Sequence, residues 1–311
     1  MNPPPLFSVI IPTYNRTAKL VRAVESVLQQ TCQDFDLWVI DDGSTDATQE
    51  ALEPFSGRLN YCYQANQGTC VARNTGIQNS NGRYIAFLDS DDHWLPDKLA
   101  VIEEAIQAHP EVGVFYSSVT NVDEDGRILW EVHAREVHGS AYIEMLKADF
   151  MVLSSVVVKR ECLKETGLFD AALKMSEDWD LLIRLARQYP ILAVPETLVI
   201  FEYGSPDKKT RNIQRWIAGH DAILEKAFQA DPALTPDQKR KILSSVAYVK
   251  GRICIEARAD ADARSWFRKS LCLNILHWKS AVYLLVLYLP LLRRVLPARI
   301  KTVLRLPEIA M

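Results

Sequence analysis

Over the first ninety residues, short apolar runs alternate with amphipathic stretches. Phe7-Ser-Val-Ile-Ile is a β-branched run closed by Pro12, which predicts a buried strand ending at the proline. Leu20, Val21, Val24, Val27 and Leu28 then share helical spacing, so residues 17–30 read as an amphipathic helix. Asp36-Leu-Trp-Val-Ile-Asp repeats the strand signal, and the turn-rich Asp42-Gly-Ser-Thr-Asp leads into a second helix reaching about residue 53. Residues 59–64 fit a third strand, 70–79 a helix, and Arg83-Tyr-Ile-Ala-Phe-Leu a fourth strand that runs into Asp89-Ser-Asp-Asp. Alternation of this kind predicts a parallel sheet with right-handed crossovers and ligands at the carboxyl ends of its strands.

Further strands are expected at residues 112–118, 154–158 and 191–203, with a helix opened by Glu177-Asp-Trp-Asp, which makes the sheet mixed. From about Asp207 the strand signal stops, and residues 212–229, 236–256 and 259–273 read as successive helices. The expected fold class is therefore α/β, a mixed sheet flanked by helices with an all-helical C-terminal extension. We place the border near Ser205-Pro206, giving a mixed-sheet domain at 1–205 and a helical extension at 206–311.

Composition narrows the class. With 48% hydrophobic and 24% charged residues the chain suits a folded globular protein rather than a disordered or multi-span membrane protein. A formal net charge of -3 gives no basic field for wholesale nucleic-acid binding. The six cysteines show no C-x-x-C, and the N-terminus lacks an apolar run of secretory length, so we expect reduced thiols in a cytoplasmic protein.

The polar residues collect where the strands end: Pro12-Thr-Tyr-Asn-Arg, Asp41-Asp-Gly-Ser and Asp89-Ser-Asp-Asp. Carboxylates at i and i+2 in extended chain face the same side, a donor set suited to Mg2+ or Mn2+ beside a phosphate. A helix N-cap at Asp92 competes with that reading. Asp42 fits either an acceptor for a ribose or base, or an ordinary turn residue. Neither a G-x-G-x-x-G nor a P-loop follows strand one, which counts against a nicotinamide dehydrogenase. The six histidines lack zinc-binding spacing. Trp179, Leu181, Leu182 and Leu185 are expected in the core.

Taken in order, Ser8-Val-Ile-Ile-Pro-Thr-Tyr-Asn-Arg, Val39-Ile-Asp-Asp-Gly-Ser-Thr-Asp, Asn66-Gln-Gly, Ala72-Arg-Asn-Thr-Gly-Ile, Gly82-Arg-Tyr-Ile-Ala-Phe-Leu-Asp-Ser-Asp-Asp and Ser176-Glu-Asp-Trp-Asp-Leu-Leu-Ile-Arg-Leu resemble the motif set of glycosyltransferase family 2. The resemblance covers about residues 6–205. It implies the GT-A fold, a divalent cation, a nucleotide-diphosphate sugar as donor with UDP as the expected nucleotide, and an inverting transfer. It further implies that Pro12, Thr13 and Tyr14 line the base, and that Asp42 recognises base or ribose. Arg73 is placed near the donor phosphates, while Asp89 and Ser90 are placed on the donor. Asp91 becomes the main metal contact with Asp89 beside it, and Asp178 the general base.

The expected acceptor is a saccharide or lipid-linked hydroxyl, in cell-surface polysaccharide synthesis. A non-catalytic nucleotide-sugar or carbohydrate-binding module of the same fold is the alternative. Residues 271–311 carry six Lys/Arg against the single acid Glu308, leaving 30 basic and 38 acidic residues elsewhere. Their apolar stretch, broken by Pro290, is short of the ~20 residues that span a bilayer. We expect this tail to contact an anionic membrane surface, which would make the protein peripheral on the cytoplasmic face.

Overall fold

The computed structural model describes residues 3–137, 140–203 and 213–288. Two compact units emerge from the contacts within the chain: Met1–Met145 with Phe150–Arg211, and Leu146–Asp149 with Asn212–Met311. The expected border at Ser205-Pro206 lies outside the described residues, as does His138.

The chain begins β1 (Phe7–Thr13), α1 (Thr17–Leu28), β2 (Phe35–Asp41), α2 (Thr48–Leu52), β3 (Asn60–Tyr63), α3 (Thr69–Asn79) and β4 (Tyr84–Phe87). Next come β5 (His93–Trp94), α4 (Lys98–Ala108), β6 (Val114–Val122), β7 (Ile128–Val132) and α5 (Ala141–Lys147). They are followed by β8 (Val156–Lys159), α6 (Arg160–Thr166), α7 (Glu177–Gln188) and β9 (Ile191–Glu202). The strands form one sheet in the order β3-β2-β1-β4-β8-β6-β9-β5, with β7 paired to β6. From β3 to β4 all pairings are parallel, and antiparallel pairing starts where β8 meets β4. The fold is the mixed α/β sheet flanked by helices that the hydrophobic pattern indicates.

Every residue of β1 is buried, as expected for a strand covered on both faces. Thr13 stands opposite Asp41 in the β1–β2 register, and Ile10 stands opposite Phe87 across β1–β4. The chain therefore leaves β1, β2 and β4 side by side. On α1, Leu20, Ala23, Val24, Val27 and Leu28 are buried, the face the periodicity marks. Trp179, Leu181, Leu182 and Leu185 of α7 are fully buried, as their spacing predicts.

Other elements carry no such signal. β5 is two residues long and exists through its antiparallel pairing with Ile200 and Val199, more than a hundred positions on. β7 leaves Ile128 70% exposed, so no alternation of buried and exposed positions announces it. Asp92 does not cap a helix: α4 starts six residues later, after Asp97, whose side chain makes no cap bond either.

The second unit contains α8 (Ile213–Ala230), α9 (Pro236–Glu256), α10 (Asp260–Leu273) and α11 (Trp278–Tyr288). A capping box joins Thr235 and Gln238 at the start of α9, with Pro236 in the first turn. Cys254, Ala263, Phe267 and Tyr283 form the core, with Phe267 and Tyr283 stacked at 4.8 Å. Beside it, Ser244 and Ser270 exchange hydroxyl-to-carbonyl bonds of 2.8 Å each, and Ser280 donates to Ser270 Oγ at 2.8 Å. No helix among the described residues is long and apolar enough to cross a membrane. The basic end of the tail, with Pro290, Arg293, Arg294, Arg299, Lys301 and Arg305, lies outside the described residues.

One glycine sets how closely α3 approaches the sheet. A Cβ on Gly76 would stand 2.5 Å from Ile10 Cγ2 and 3.2 Å from Ile40 Cγ1, against β1 and β2. Gly76→Ala should therefore force α3 outward and cost about 1–3 kcal/mol, the usual range for overpacking. Thermal unfolding should show this as a lower Tm; an unchanged Tm would mean that the sheet yields freely at this point.

Candidate active site

At the end of β1, Pro12 and Thr13 are buried and Tyr14 is 48% exposed. Asn15 adopts a positive φ of 51°, so the chain turns sharply there. Its side-chain Oδ1 accepts from Thr45 N–H at 2.7 Å, and its own N–H donates to Ser44 Oγ at 2.9 Å, which ties the β1 loop to the β2 loop. Thr13 Oγ1 is buried and has no hydrogen-bond partner among the described residues. A buried hydroxyl left unsatisfied is costly, and it suits a ligand that supplies the missing bond.

The two acids at the end of β2 serve different ends. Asp41 accepts from Ser44 N–H at 2.8 Å and from the Tyr61 hydroxyl at 2.7 Å, which pushes the Tyr61 pKa up together with burial. Asp42 Oδ1 accepts from Gln64 Nε2 at 2.7 Å and from Gln67 N–H at 2.9 Å, and its Oδ2 accepts from Gly68 N–H at 2.7 Å. Gly68 has a φ of +94°, a conformation that an L side chain rarely adopts, and it aims this N–H at Asp42. Three protein donors thus orient Asp42 and leave it at most about one further lone-pair position for a ligand.

The loop after β4 holds Asp89, Ser90, Asp91 and Asp92. Ser90 is buried at 3% exposure. Carboxylate oxygens of Asp89, Asp91 and Asp92 lie within 4.8 Å of one another. Asp92, fully buried, accepts from the Ser154 hydroxyl at 2.5 Å and from Glu202 N–H at 3.2 Å. Ser154 Oγ in turn accepts from Asp89 N–H at 3.1 Å. Asp92 is thus a buttress, spent on holding the loop. Asp91 pairs with Arg16 at 3.1 Å, and Asp89 pairs with Arg73 at 2.6 Å.

Arg73, on α3, is buried at 4% exposure. Its Nη1 reaches Glu177 at 3.3 Å, its guanidinium carbon lies 5.2 Å from the Phe169 ring centroid, and its Nε has no hydrogen-bond partner among the described residues. Asp89 and Glu177 hold its proton more tightly than usual, outweighing the opposing effect of burial. One cation therefore joins the β4 loop to the start of α7.

Ser176, at φ 55°, turns the chain into α7 and brings Glu177 and Asp178 to its first turn. Asp178 Oδ1 accepts from Trp179 N–H at 2.9 Å, and Oδ2 makes no hydrogen bond among the described residues. Burial pushes the Asp178 carboxyl up to about 6, with Glu177 adding to the shift and Arg73 opposing it. Its neighbour Trp179 donates Nε1–H to Met145 O at 2.8 Å, which anchors the helix turn beneath the carboxyl.

Asp89, Asp91, Arg73 and Asp178, four residues singled out in the sequence, are therefore linked through one charge network. Pro12, Thr13, Tyr14 and Asp42 occupy the two neighbouring strand ends. The sequence reading missed the partners. Arg16 lay in plain view within Pro-Thr-Tyr-Asn-Arg, but its pairing with Asp91 spans seventy-five positions. Ser154 read as an ordinary strand residue. Glu202 ends β9, where its carboxylate binds Lys19 at 2.5 Å and Arg22 at 2.7 Å, and this lowers its pKa while its N–H serves Asp92. Lys98 is fully buried against the Trp94 ring at 5.1 Å, with Nζ on Ser155 O at 2.9 Å, and burial pushes it down to about 7.

Asp89, Asp91, Asp92, Glu177 and Asp178 face the cations Arg16 and Arg73. That excess of negative oxygen suits a hard divalent cation, with Asp91 and Asp89 as its ligands and Asp92 as support. The partnerless Thr13 Oγ1 and Arg73 Nε suit an anionic polar ligand beside it.

Residues 8–159 match the model of glycosyl transferase family 2. These residues belong to glycosyltransferase family 2. An uncharacterized glycosyltransferase of Rickettsia felis is 33% identical over 193 residues, which are 61% of this chain and 32% of that protein. The chain therefore spans about a third of the length of the first curated relatives it matches. The putative teichuronic acid biosynthesis glycosyltransferase TuaG of Bacillus subtilis is 35% identical over 164 residues, covering 50% of this chain and 63% of its own. Among solved structures, the mannosyltransferase PcManGT from Pyrobaculum calidifontis, in complex with GDP-Man and Mn2+, superposes with a TM-score of 0.60. It is 19% identical and covers 97% of this chain and 85% of its own, a likeness of fold.

The raised carboxyl of Asp178 has a consequence for stability. Unfolded, it titrates near 3.8; folded, near 6, so between these values the folded state binds more protons and loses stability as pH rises. The cost is complete above about pH 6 and absent below about pH 4. Asp178→Asn should therefore raise Tm relative to the wild type at pH 7.5 and leave it nearly unchanged at pH 4. Equal Tm differences at the two pH values would show that the carboxyl is not raised.

Proposed function

We propose that this protein is an inverting glycosyltransferase that moves a sugar from a nucleotide-diphosphate sugar to a hydroxyl of a saccharide or lipid-linked acceptor. The observation that carries the reading is that Asp178, with a raised carboxyl, stands within electrostatic reach of Arg73 and Asp89, and Arg73 pairs with Asp89 of the acidic loop. Support comes from the GDP-Man and Mn2+ bound by the structurally similar mannosyltransferase, and from the name of the B. subtilis relative, which favours cell-surface polysaccharide synthesis. UDP is the nucleotide we expect, and the cytoplasmic face of a membrane is the expected place of the reaction.

Asp178 Oδ2 takes the proton from the acceptor hydroxyl as its oxygen attacks the anomeric carbon. A carboxylate that titrates near 6 is ionised at neutral pH yet more basic than an ordinary aspartate, which fits general-base work. The glycosidic C–O bond to the diphosphate breaks in the same displacement, and its electron pair leaves with the phosphate oxygen. Asp91 and Asp89 would hold Mg2+ or Mn2+, which when bound supplies positive charge to the leaving group. Arg73 is positioned to add to that charge, preorganised by Asp89 and Glu177 rather than recruited from solvent. Thr13, Pro12 and Tyr14 line the base, Asp42 recognises base or ribose with its remaining acceptor capacity, and Ser90 flanks the donor with Asp89.

Donor turnover with purified full chain should require Mn2+ or Mg2+ and stop with chelator, and a panel of UDP- and GDP-sugars identifies the donor. Asp178→Asn should keep donor binding by calorimetry while transfer falls at least ~10²-fold. Near-normal transfer in that variant would remove Asp178 as base. Tight donor binding with no transfer to any acceptor would favour a binding module instead.

The pH dependence provides a separate check. Wild-type kcat/KM should decline as pH falls through about 6, because protonated Asp178 cannot accept the acceptor proton. A flat profile from pH 5 to pH 8 would reject an essential base of this kind.

A further inference from the structure

Helix α11 is apolar on more than the side that packs. It buries Ser280, Tyr283 and Val286, and Tyr283 stacks on Phe267 of α10. On the opposite side Trp278 is 53%, Leu285 53% and Tyr288 50% exposed. Trp278, Ala281, Leu285 and Tyr288 follow helical spacing of three and four, so the exposed residues form one stripe. The turn ahead of the helix continues it, with Ile275 83% and Leu276 82% exposed. A helix facing only water would carry polar residues on this side.

The charges in contact with the rings of the stripe are basic. Arg264 and Arg268 stand 5.7 and 5.5 Å from the Tyr288 ring centroid, and Lys279 stands 5.9 Å from that of Trp278. Arg268 also donates to the Tyr288 hydroxyl. From Ala263 to Tyr288 the sequence contains Arg264, Arg268, Lys269 and Lys279 and no acidic residue. A second copy seated on the same patch would bring these cations against their own counterparts. The segment that follows in the sequence is itself basic, so it offers no charge complement either. What complements the patch is an apolar layer with an anionic surface. Trp and Tyr at the border of an apolar stripe, flanked by Arg and Lys, suit the headgroup level of a bilayer.

We propose that the α10–α11 turn and the outer face of α11 dock in the plane of an anionic membrane. Ile275, Leu276 and Leu285 enter the acyl boundary, Trp278 and Tyr288 sit among the headgroups, and Arg264, Arg268 and Lys279 face the lipid phosphates. The described part of α11, Trp278–Tyr288, is 11 residues, short of the ~20 that span a bilayer, so the proposal lays it along the membrane plane. This inference goes beyond the transferase reading and does not depend on it, because neither donor nor acceptor enters its test.

The test is flotation of the full chain with extruded vesicles of phosphatidylcholine alone and of phosphatidylcholine with about a third phosphatidylglycerol. The wild type should float with the anionic vesicles and stay behind with the neutral ones. The double substitution Ile275→Asp, Leu276→Asp removes apolar side chains that the fold does not bury, so Tm should hold while partitioning to anionic vesicles falls at least ~10-fold. Arg264→Glu with Lys279→Glu should weaken anionic binding with the apolar tip intact. Binding that ignores lipid charge, or a double variant that partitions like the wild type with unchanged Tm, would overturn the proposal. So would light scattering that shows a wild-type dimer abolished by the double variant, since the occupant would then be a second copy.

Discussion

The buried guanidinium of Arg73 is the constraint on which the site depends. An unpaired charge at 4% exposure would be prohibitively costly, so Asp89 and Glu177 must stand where they do, one from the β4 loop and one from α7. The dependence is mutual: these acids, with Asp178 beside them, would repel one another without a cation between them. Because Arg73 is carried by α3, its position relies on Gly76, which lets that helix approach Ile10 and Ile40. A backbone contact on the sheet is thus transmitted to the charge network at the strand ends.

The same arrangement shows how one residue type takes several roles. Asp92 has both oxygens engaged by Ser154 and by the Glu202 backbone, and it holds a loop. Asp42 is oriented by three donors from the residues leading into α3. Asp91 and Asp89 are each countered by one arginine, charges that a metal or a diphosphate can replace or join. Asp178 loses water to burial and has acidic company with a single backbone donor, and its affinity for a proton rises accordingly. Environment, rather than chemistry of the side chain, separates the buttress Asp92 from the carboxylates proposed for recognition, metal binding and proton transfer.

Much of the first unit was legible because its signals are local. The β1–β4 block shows alternating apolar runs and helical faces within short windows, and Trp179 to Leu185 lie at core spacing inside one helix. β5 and β7 were not legible, because a two-residue strand and a largely exposed hairpin arm take their form from β9 and β6. The helical part was legible as helices, but its exposed stripe on α11 was not: the sequence shows an apolar run, and only packing decides which side of it meets Tyr248 and Phe267 and which meets solvent.

By itself, then, the sequence determined the order of elements from β1 to β4, the strand ends at which polar residues gather, and the motif set through which family membership could be recognised, all properties carried by neighbours in the chain. Tertiary structure decided the pairings: Arg16 with Asp91, Arg73 with Glu177, Ser154 with Asp92, and Glu202 with Lys19 and Arg22. Each joins residues brought close by the sheet order rather than by spacing. Charge interactions and burial act through space, so the proton affinity of Asp178 became readable only once Glu177, Arg73 and Asp89 had been placed around it.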